Sequence, residues 1–236
     1  MRKQEAEPLR NLGERYMAQG NYSAALREFL KAEKLYPEDP ILHNDLGYTY
    51  MAKGKLDLAV QHYKKALKID PDYAAARNNL GTAYLKKRDW DAAIAVFKEN
   101  LDSLFYATPQ NTYLNLGIAY AYKKEYEISE KYFQECLDLY RDGLQQDGTY
   151  VLVLYSLGKL YTETGKIPKA IPLLEAAIKA DPSQPFLYFS LARTYVLSND
   201  YMKAERAYRK VVELAPETPM GQEANIILRQ LEEQKK

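Results

Sequence analysis

Cysteine, histidine and long apolar runs are all scarce in this 236-residue sequence. One cysteine excludes an internal disulfide, and with only two histidines a zinc site of the usual kind, made by this chain alone, is not expected. No apolar run approaches the ~18 residues of a membrane-spanning helix. No apolar leader precedes the first charged residues, so the sequence as it stands predicts no secretory signal.

An excess of charge of one sign is also missing, because 33 Lys and Arg face 32 Asp and Glu. Nucleic-acid-binding proteins and polybasic membrane-surface proteins carry a marked positive excess, so we expect neither nucleic acid nor a lipid headgroup as partner. The sequence lacks four motifs that are typical of cofactor, metal and catalytic sites: the glycine-rich phosphate loop, His-x-x-x-His, Cys-x-x-Cys and the nucleophile elbow. We therefore expect no catalytic residue, no metal and no cofactor.

The chain does have an abundance of tyrosine, 22 residues, and they are periodic. The motif Leu-Gly-x-x-Tyr begins at Leu12, Leu46, Leu80, Leu116 and Leu157, and a sixth copy with alanine for glycine begins at Leu191. The spacings are 34, 34, 36, 41 and 34 residues. A fixed period of this size indicates stacked supersecondary units, and this signature resembles the tetratricopeptide repeat (TPR) family.

The resemblance implies an all-α fold, a right-handed superhelical solenoid of six TPR helical hairpins followed by a C-terminal capping helix. Gly or Ala at repeat position 8 would let the helices of one hairpin approach closely, and Gly20, Gly54 and Gly165 suit the turn between them. The predicted segments are a tail 1–5, repeats 6–39, 40–73, 74–107, 110–143, 151–184 and 185–218, an insertion loop 144–150 and a capping helix 219–236.

In that fold, the first helix of each repeat lines an inner face, where we expect a partner to bind. Repeat position 6 places one short polar side chain per repeat on this face: Asn11, Asp45, Asn79, Asn115, Ser156 and Ser190. Such side chains can pair with the backbone of an extended peptide. The alternative is that any solvated face favours small polar residues here.

The neighbouring positions divide the inner face into two parts. The N-terminal part is polar, with Asn44, Asn78 and the aromatic Tyr48. The C-terminal part is predicted to be an apolar strip flanked by Arg193 and made of Leu114, Ile118, Leu152, Tyr155, Phe186 and Phe189. Exposed apolar surface of this kind favours protein binding. The alternative is that the capping helix or the loop at 142–148 covers the strip.

A receptor for chaperone C-terminal tails is disfavoured. Such receptors hold a carboxylate with converging cations, whereas the corresponding positions in the first register hold Arg10, Glu14, Asp45, Ala75 and Asn79. His43 and His62 are assigned to different helices with no carboxylate pattern around them, so we expect a packing or surface role. Cys136 falls at a small core position and is expected to be buried.

Six repeats with a cap resemble the small lipoproteins of type IV pilus biogenesis, the pilotin family, as does the irregular junction 102–109 between repeats three and four. That resemblance implies a periplasmic protein that binds a pilus secretin subunit and contacts the outer membrane only through a lipid anchor, which this sequence does not contain. Two alternatives stay open: a cytoplasmic peptide-binding adaptor, and a structural scaffold that assembles as a homo-oligomer.

Overall fold

The structure, a computed structural model, describes residues 2–101 and 109–233. All regular secondary structure in these ranges is helical, which confirms the all-α prediction. The helices are α1 (Arg2–Ala18), α2 (Tyr22–Leu35), α3 (Pro40–Ala52), α4 (Leu56–Ile69), α5 (Ala74–Lys87), α6 (Trp90–Leu101), α7 (Pro109–Tyr122), α8 (Tyr126–Arg141), α9 (Gly148–Glu163), α10 (Ile167–Ala180), α11 (Pro185–Leu197), α12 (Tyr201–Leu214) and α13 (Pro219–Glu233).

The helices form two compact units, Met1–Lys123 and Lys124–Lys236. In the first unit, α1 packs on α2, α3 on α4 and α5 on α6, and each hairpin also packs on the next, ending with α7 on α6. In the second unit, α8 packs on α9, the hairpins α9–α10 and α11–α12 pack on each other, and α13 covers α12. Each unit therefore has its own hydrophobic core between stacked hairpins.

Close approach within a hairpin depends on the glycine at repeat position 8. A Cβ added to Gly13, Gly47 or Gly81 would lie 2.4 to 2.6 Å from the ring of Phe29, Tyr63 or Phe97 on the second helix of the same hairpin. These three rings are fully buried. The glycine is thus required because the aromatic residue at position 24 occupies the space of a side chain.

The turn inside each hairpin places one residue in the left-handed region. Gly20, Gly54 and Gly165 have φ between 72° and 76°, as the sequence predicts for this position. In the third and fourth repeats the same position holds Arg88 and Lys124, with φ of 61° and 62°. Because a Cβ disfavours this conformation, these two turns carry local backbone strain.

Side-chain caps and prolines set several helix ends. Asp39 accepts hydrogen bonds from the backbone N–H groups of Ile41 and Leu42 at the start of α3, and Pro40 stands at its first position. Asp147 caps α9 in the same way, and the hydroxyl of Tyr140 donates to Asp147 Oδ1 at 2.7 Å. A short polar cap followed by proline is a strong signal for a helix start.

Three segment boundaries differ from the sequence-based prediction. The predicted tail 1–5 is helical from Arg2 onward, because α1 begins one turn earlier and buries Ala6 against the cluster around Phe29. The irregular segment before α9 spans 142–147 instead of 144–150, because the Asp147 cap starts the helix at Gly148. The capping helix is present as α13, whose last predicted residues, 234–236, lie outside the described part of the chain.

Candidate functional site

The first unit carries a polar patch on α3 and α5, made of Asn44, Asp45, Tyr48, Asn78 and Asn79. Asn79 Nδ2 donates a hydrogen bond to Asn44 Oδ1 at 2.9 Å, which links position 6 of the third repeat to position 5 of the second. Tyr48 is 40% exposed, and the three asparagines are partly exposed. The structure therefore brings together five residues that the repeat pattern assigned to one binding face.

Two oxygen atoms of the patch have no hydrogen-bond partner among the described residues: Asp45 Oδ2 and Asn78 Oδ1. Asp45 is only 8% exposed, and burial, with the nearby Glu14 carboxylate, raises its pKa to about 7. Arg10 Nη1 is already bound to Glu14 at 2.8 Å and so only partly offsets this effect. Both oxygens are inaccessible to solvent, so they contribute to the interior under the patch, whereas Tyr48 and the three partly exposed amides form its surface.

The other predicted site residues of the first unit differ in how exposed their side chains are. Asn11 on α1 is exposed, and Asn115 and Ile118 on α7 are half-buried. Leu114 is only 6% exposed, so the prediction that it lines an accessible apolar strip is wrong. Its side chain contributes to the core, which the repeat position alone did not indicate.

In the second unit, Tyr155 of α9 and Phe186 of α11 meet edge to face, with their ring centroids 5.0 Å apart. Leu152, one turn before Tyr155, is 44% exposed. Ser156 and Ser190 lie half-buried at position 6, and Arg193 is exposed. We name Leu152, Tyr155 and Phe186 the aromatic strip; Leu152 is exposed, and Tyr155 and Phe186 are half-buried.

Phe189 belongs to the core more than to this strip. Its ring meets Tyr208 edge to face at 5.6 Å and packs against the cluster that includes Ala224 and Leu228 of the capping helix α13. The capping helix therefore contributes to the cluster on which Phe189 packs. The sequence could not show this because it does not give the path of α13 over α12.

Models of the TPR family match most of the sequence. A model described as TPR repeat matches residues 13–54 and 47–88. A second model, described as tetratricopeptide repeat, matches residues 109–183. A third with the same description matches residues 70–111 and 155–219. The chain belongs to the tetratricopeptide repeat family. The structure shows the features expected of that family: helical hairpins, a glycine at repeat position 8 and a buried aromatic residue at position 24.

Several solved TPR structures resemble this chain at low sequence identity. PilW, titled a widely conserved type IV pilus biogenesis factor, has a TM-score of 0.82 at 19% identity, over 93% of this chain and 97% of that one. PilF of Pseudomonas aeruginosa has a TM-score of 0.75 at 20% identity, over 95% and 98%. YrrB, which its title describes as a TPR protein with an unusual peptide-binding site, has a TM-score of 0.55 at 20% identity. That match covers 84% of this chain and 97% of YrrB. No curated protein matches the sequence.

None of the helices in the two described ranges is long and apolar enough to cross a membrane. The irregular junction 102–109, which suggested the pilus lipoproteins, lies outside the described residues except for Pro109, where α7 begins.

The histidines are placed differently from what the sequence suggested. His43 is fully buried, as expected for packing, but a carboxylate is close: Glu33 Oε1 lies 3.8 Å from His43 Nδ1. His62 Nδ1 lies 3.1 Å from the same atom. The expectation of no carboxylate near the histidines is wrong, because stacking of the first two TPR hairpins brings the end of α2 against α3. Cys136 is buried, as predicted.

Proposed function

We propose that this TPR protein is a non-catalytic scaffold that binds an extended segment of a partner protein on the polar patch of its first unit. The observation that carries the proposal is the exposed ring of Tyr48 on the same patch as the partly exposed amides of Asn44, Asn78 and Asn79. An amide side chain can both donate and accept hydrogen bonds, so such a row can pair with the backbone of an extended segment.

The chemistry of the patch favours a segment with hydrogen-bond donors and a positive charge. Backbone N–H and C=O groups can pair with the partly exposed amides of the patch, and a lysine or arginine side chain placed near Asp45 would favour its ionised form. Tyr48 provides an aromatic surface for the same cation or for an apolar side chain. Because each neutral hydrogen bond contributes only about 0.5–1.5 kcal/mol net, we expect modest affinity from the patch alone.

We propose further that the partner is a subunit of the type IV pilus machinery, with the secretin as first candidate, and that the protein acts in the periplasm on a lipid anchor. The support is the likeness of PilW and PilF over more than nine tenths of this chain and of theirs. A general peptide-binding adaptor in the cytoplasm and a self-assembling scaffold are the competing functions.

Complementation of a strain that lacks the gene tests both parts. Wild type should restore surface pili and secretin multimers, whereas the double variant Asn44→Ala, Asn78→Ala should restore neither, at equal protein level. Asn225→Ala, an exposed asparagine on α13, is the matched control and should behave as wild type. If the double variant restores pili fully, the patch is not the binding site; if deletion leaves piliation unchanged, the pilus role is wrong.

A further inference from the structure

Three potential metal ligands from three different helices converge in the first unit. Glu33 comes from the end of α2, His43 from the start of α3 and His62 from the middle of α4. One carboxylate oxygen and one nitrogen from each ring all lie within 4.8 Å of one another. The nearest pair is His43 Nδ1 and His62 Nδ1, 3.1 Å apart.

A backbone contact fixes which nitrogen of His43 has the free lone pair. His43 Nε2 lies 2.8 Å from the carbonyl oxygen of Pro37. Because a carbonyl only accepts hydrogen bonds, Nε2 carries the proton and Nδ1 does not. The unprotonated Nδ1 faces His62 and Glu33. Histidine ligands are usually held in this manner, with the second ring nitrogen donating to a carbonyl or carboxylate.

His62 is held by its neighbours as well. Its ring stacks on Tyr50, with centroids 5.2 Å apart. In the metal-free protein its Nδ1–H is the donor to His43 Nδ1, since His43 Nδ1 is unprotonated. Burial lowers the pKa of His62 to about 4 and also lowers that of His43. Because His43 Nε2 donates to Pro37 and its Nδ1 accepts from His62, the His43 ring is in the neutral form that binds metals.

We propose that Glu33, His43 and His62 form a Zn²⁺ site, with the carboxylate and both Nδ1 atoms as protein ligands. Two nitrogens on one tetrahedral zinc, each about 2.0–2.1 Å from it, lie about 3.3 Å apart, close to the observed separation of 3.1 Å. The two rings are stacked with an interplanar angle of 28°, so they must turn to direct both lone pairs at the ion. On binding, the His62 proton moves from Nδ1 to Nε2 and the ion replaces the hydrogen bond between the rings. A water molecule takes the fourth position.

Lys65 occupies the place beside the carboxylate in the metal-free structure. Its Nζ lies 3.2 Å from Glu33 Oε1, and its side chain is 41% exposed, so it can leave towards solvent. The ion and Lys65 would compete for the same oxygen. Lys65→Met should therefore tighten Zn²⁺ binding several-fold, whereas Lys166→Met should not, although Lys166 forms a comparable pair with Glu130 at 2.8 Å.

The experiment is a calorimetric titration of untagged, metal-free full-length protein with zinc chloride, together with NMR of the imidazole nitrogens. His43 and His62 are the only histidines of the chain, so both sets of resonances report on the site. We expect one saturable site and a shift of both Nδ1 signals. Glu33→Gln and His62→Gln should each weaken binding by more than about tenfold, the loss that even outer-shell changes can cause.

The control variant is Glu130→Gln, which also removes a carboxylate from an ion pair with lysine and should bind as wild type. His43→Gln is avoided as the main test because its ring is fully buried. Absence of saturable Zn²⁺ binding by the wild type overturns the site. Wild-type affinity in His62→Gln, or binding that leaves the imidazole signals unmoved, overturns it equally.

Discussion

A Cβ placed on Gly47 would lie 2.6 Å from Cε1 of the buried Tyr63 ring. Gly47→Ala should therefore destabilise the protein by roughly 1–3 kcal/mol, the usual cost of overpacking a core. Urea unfolding followed by circular dichroism measures this. Gly148→Ala is the control, because nothing lies within 4 Å of a Cβ there. A Gly47→Ala midpoint equal to that of Gly148→Ala would show that the hairpin tolerates a wider separation.

The strained turn of the third repeat predicts a substitution that raises the stability of the protein instead of lowering it. Arg88→Gly should stabilise the protein by about 1 kcal/mol, because release of the left-handed strain exceeds the added entropy of glycine in the unfolded chain. Arg88→Ala keeps the Cβ and should have little effect in the same unfolding assay. Equal changes in the two variants would assign the effect to the lost side chain.

Asp45 predicts a dependence of stability on pH. Burial raises its pKa in the folded protein to about 7, against about 3.9 in an unfolded chain. Between these values the folded state retains a proton that the unfolded state loses, so this group lowers the free energy of unfolding as pH rises from about 4 to about 7. The Asp45→Asn variant has no ionisable group at this position, so its free energy of unfolding should not decrease for this reason.

Urea unfolding of wild type and Asp45→Asn at pH 5 and pH 8 checks the sign. The stability of the variant relative to wild type should increase between the two pH values, by an amount on the order of 1–2 kcal/mol after allowance for relaxation. Asp72→Asn, an exposed aspartate of the same unit, is the control. A relative stability of Asp45→Asn that does not change with pH would mean that the carboxylate is solvated.

The two aromatic environments of the second unit should respond differently to truncation. Phe189→Ala should cost roughly 1–3 kcal/mol, less than the ~3–5 of a fully buried phenylalanine, because the ring is half-buried against Tyr208 and the neighbouring core cluster. Leu152→Ala should cost well under 1 kcal/mol, since the side chain is 44% exposed. Thermal unfolding of both variants compares them, and a similar cost would contradict the distinction between core and strip.

The repeat pattern predicted the hairpins, the capping helix and the close-approach glycines because these depend on spacing within one repeat. Gly47 against Tyr63 and the left-handed Gly54 follow from positions 8, 24 and 15 alone. It also placed Asn44, Asp45 and Asn79 on one face. The helical start at Arg2 was missed because the repeat frame begins at residue 6 and says nothing of an added turn.

Contacts between repeats and burial were less predictable. Glu33 and His43 are neighbours because the end of one hairpin packs on the start of the next. A comparison of position 28 of one repeat with position 4 of the following repeat would have indicated this contact. The burial of Leu114 and Phe189 depends on which elements pack over them. Residue type and repeat position gave no information about that packing.

Site-specific photo-crosslinking in cells tests most directly whether the polar patch binds a partner protein. A photoreactive phenylalanine analogue in place of Tyr48, 40% exposed in the patch, is compared with the same analogue in place of Tyr201, 42% exposed in the second unit. We expect an adduct with a pilus secretin subunit from position 48 and none from position 201. An adduct only from position 201, an adduct of the chain with itself, or none from position 48 would contradict it.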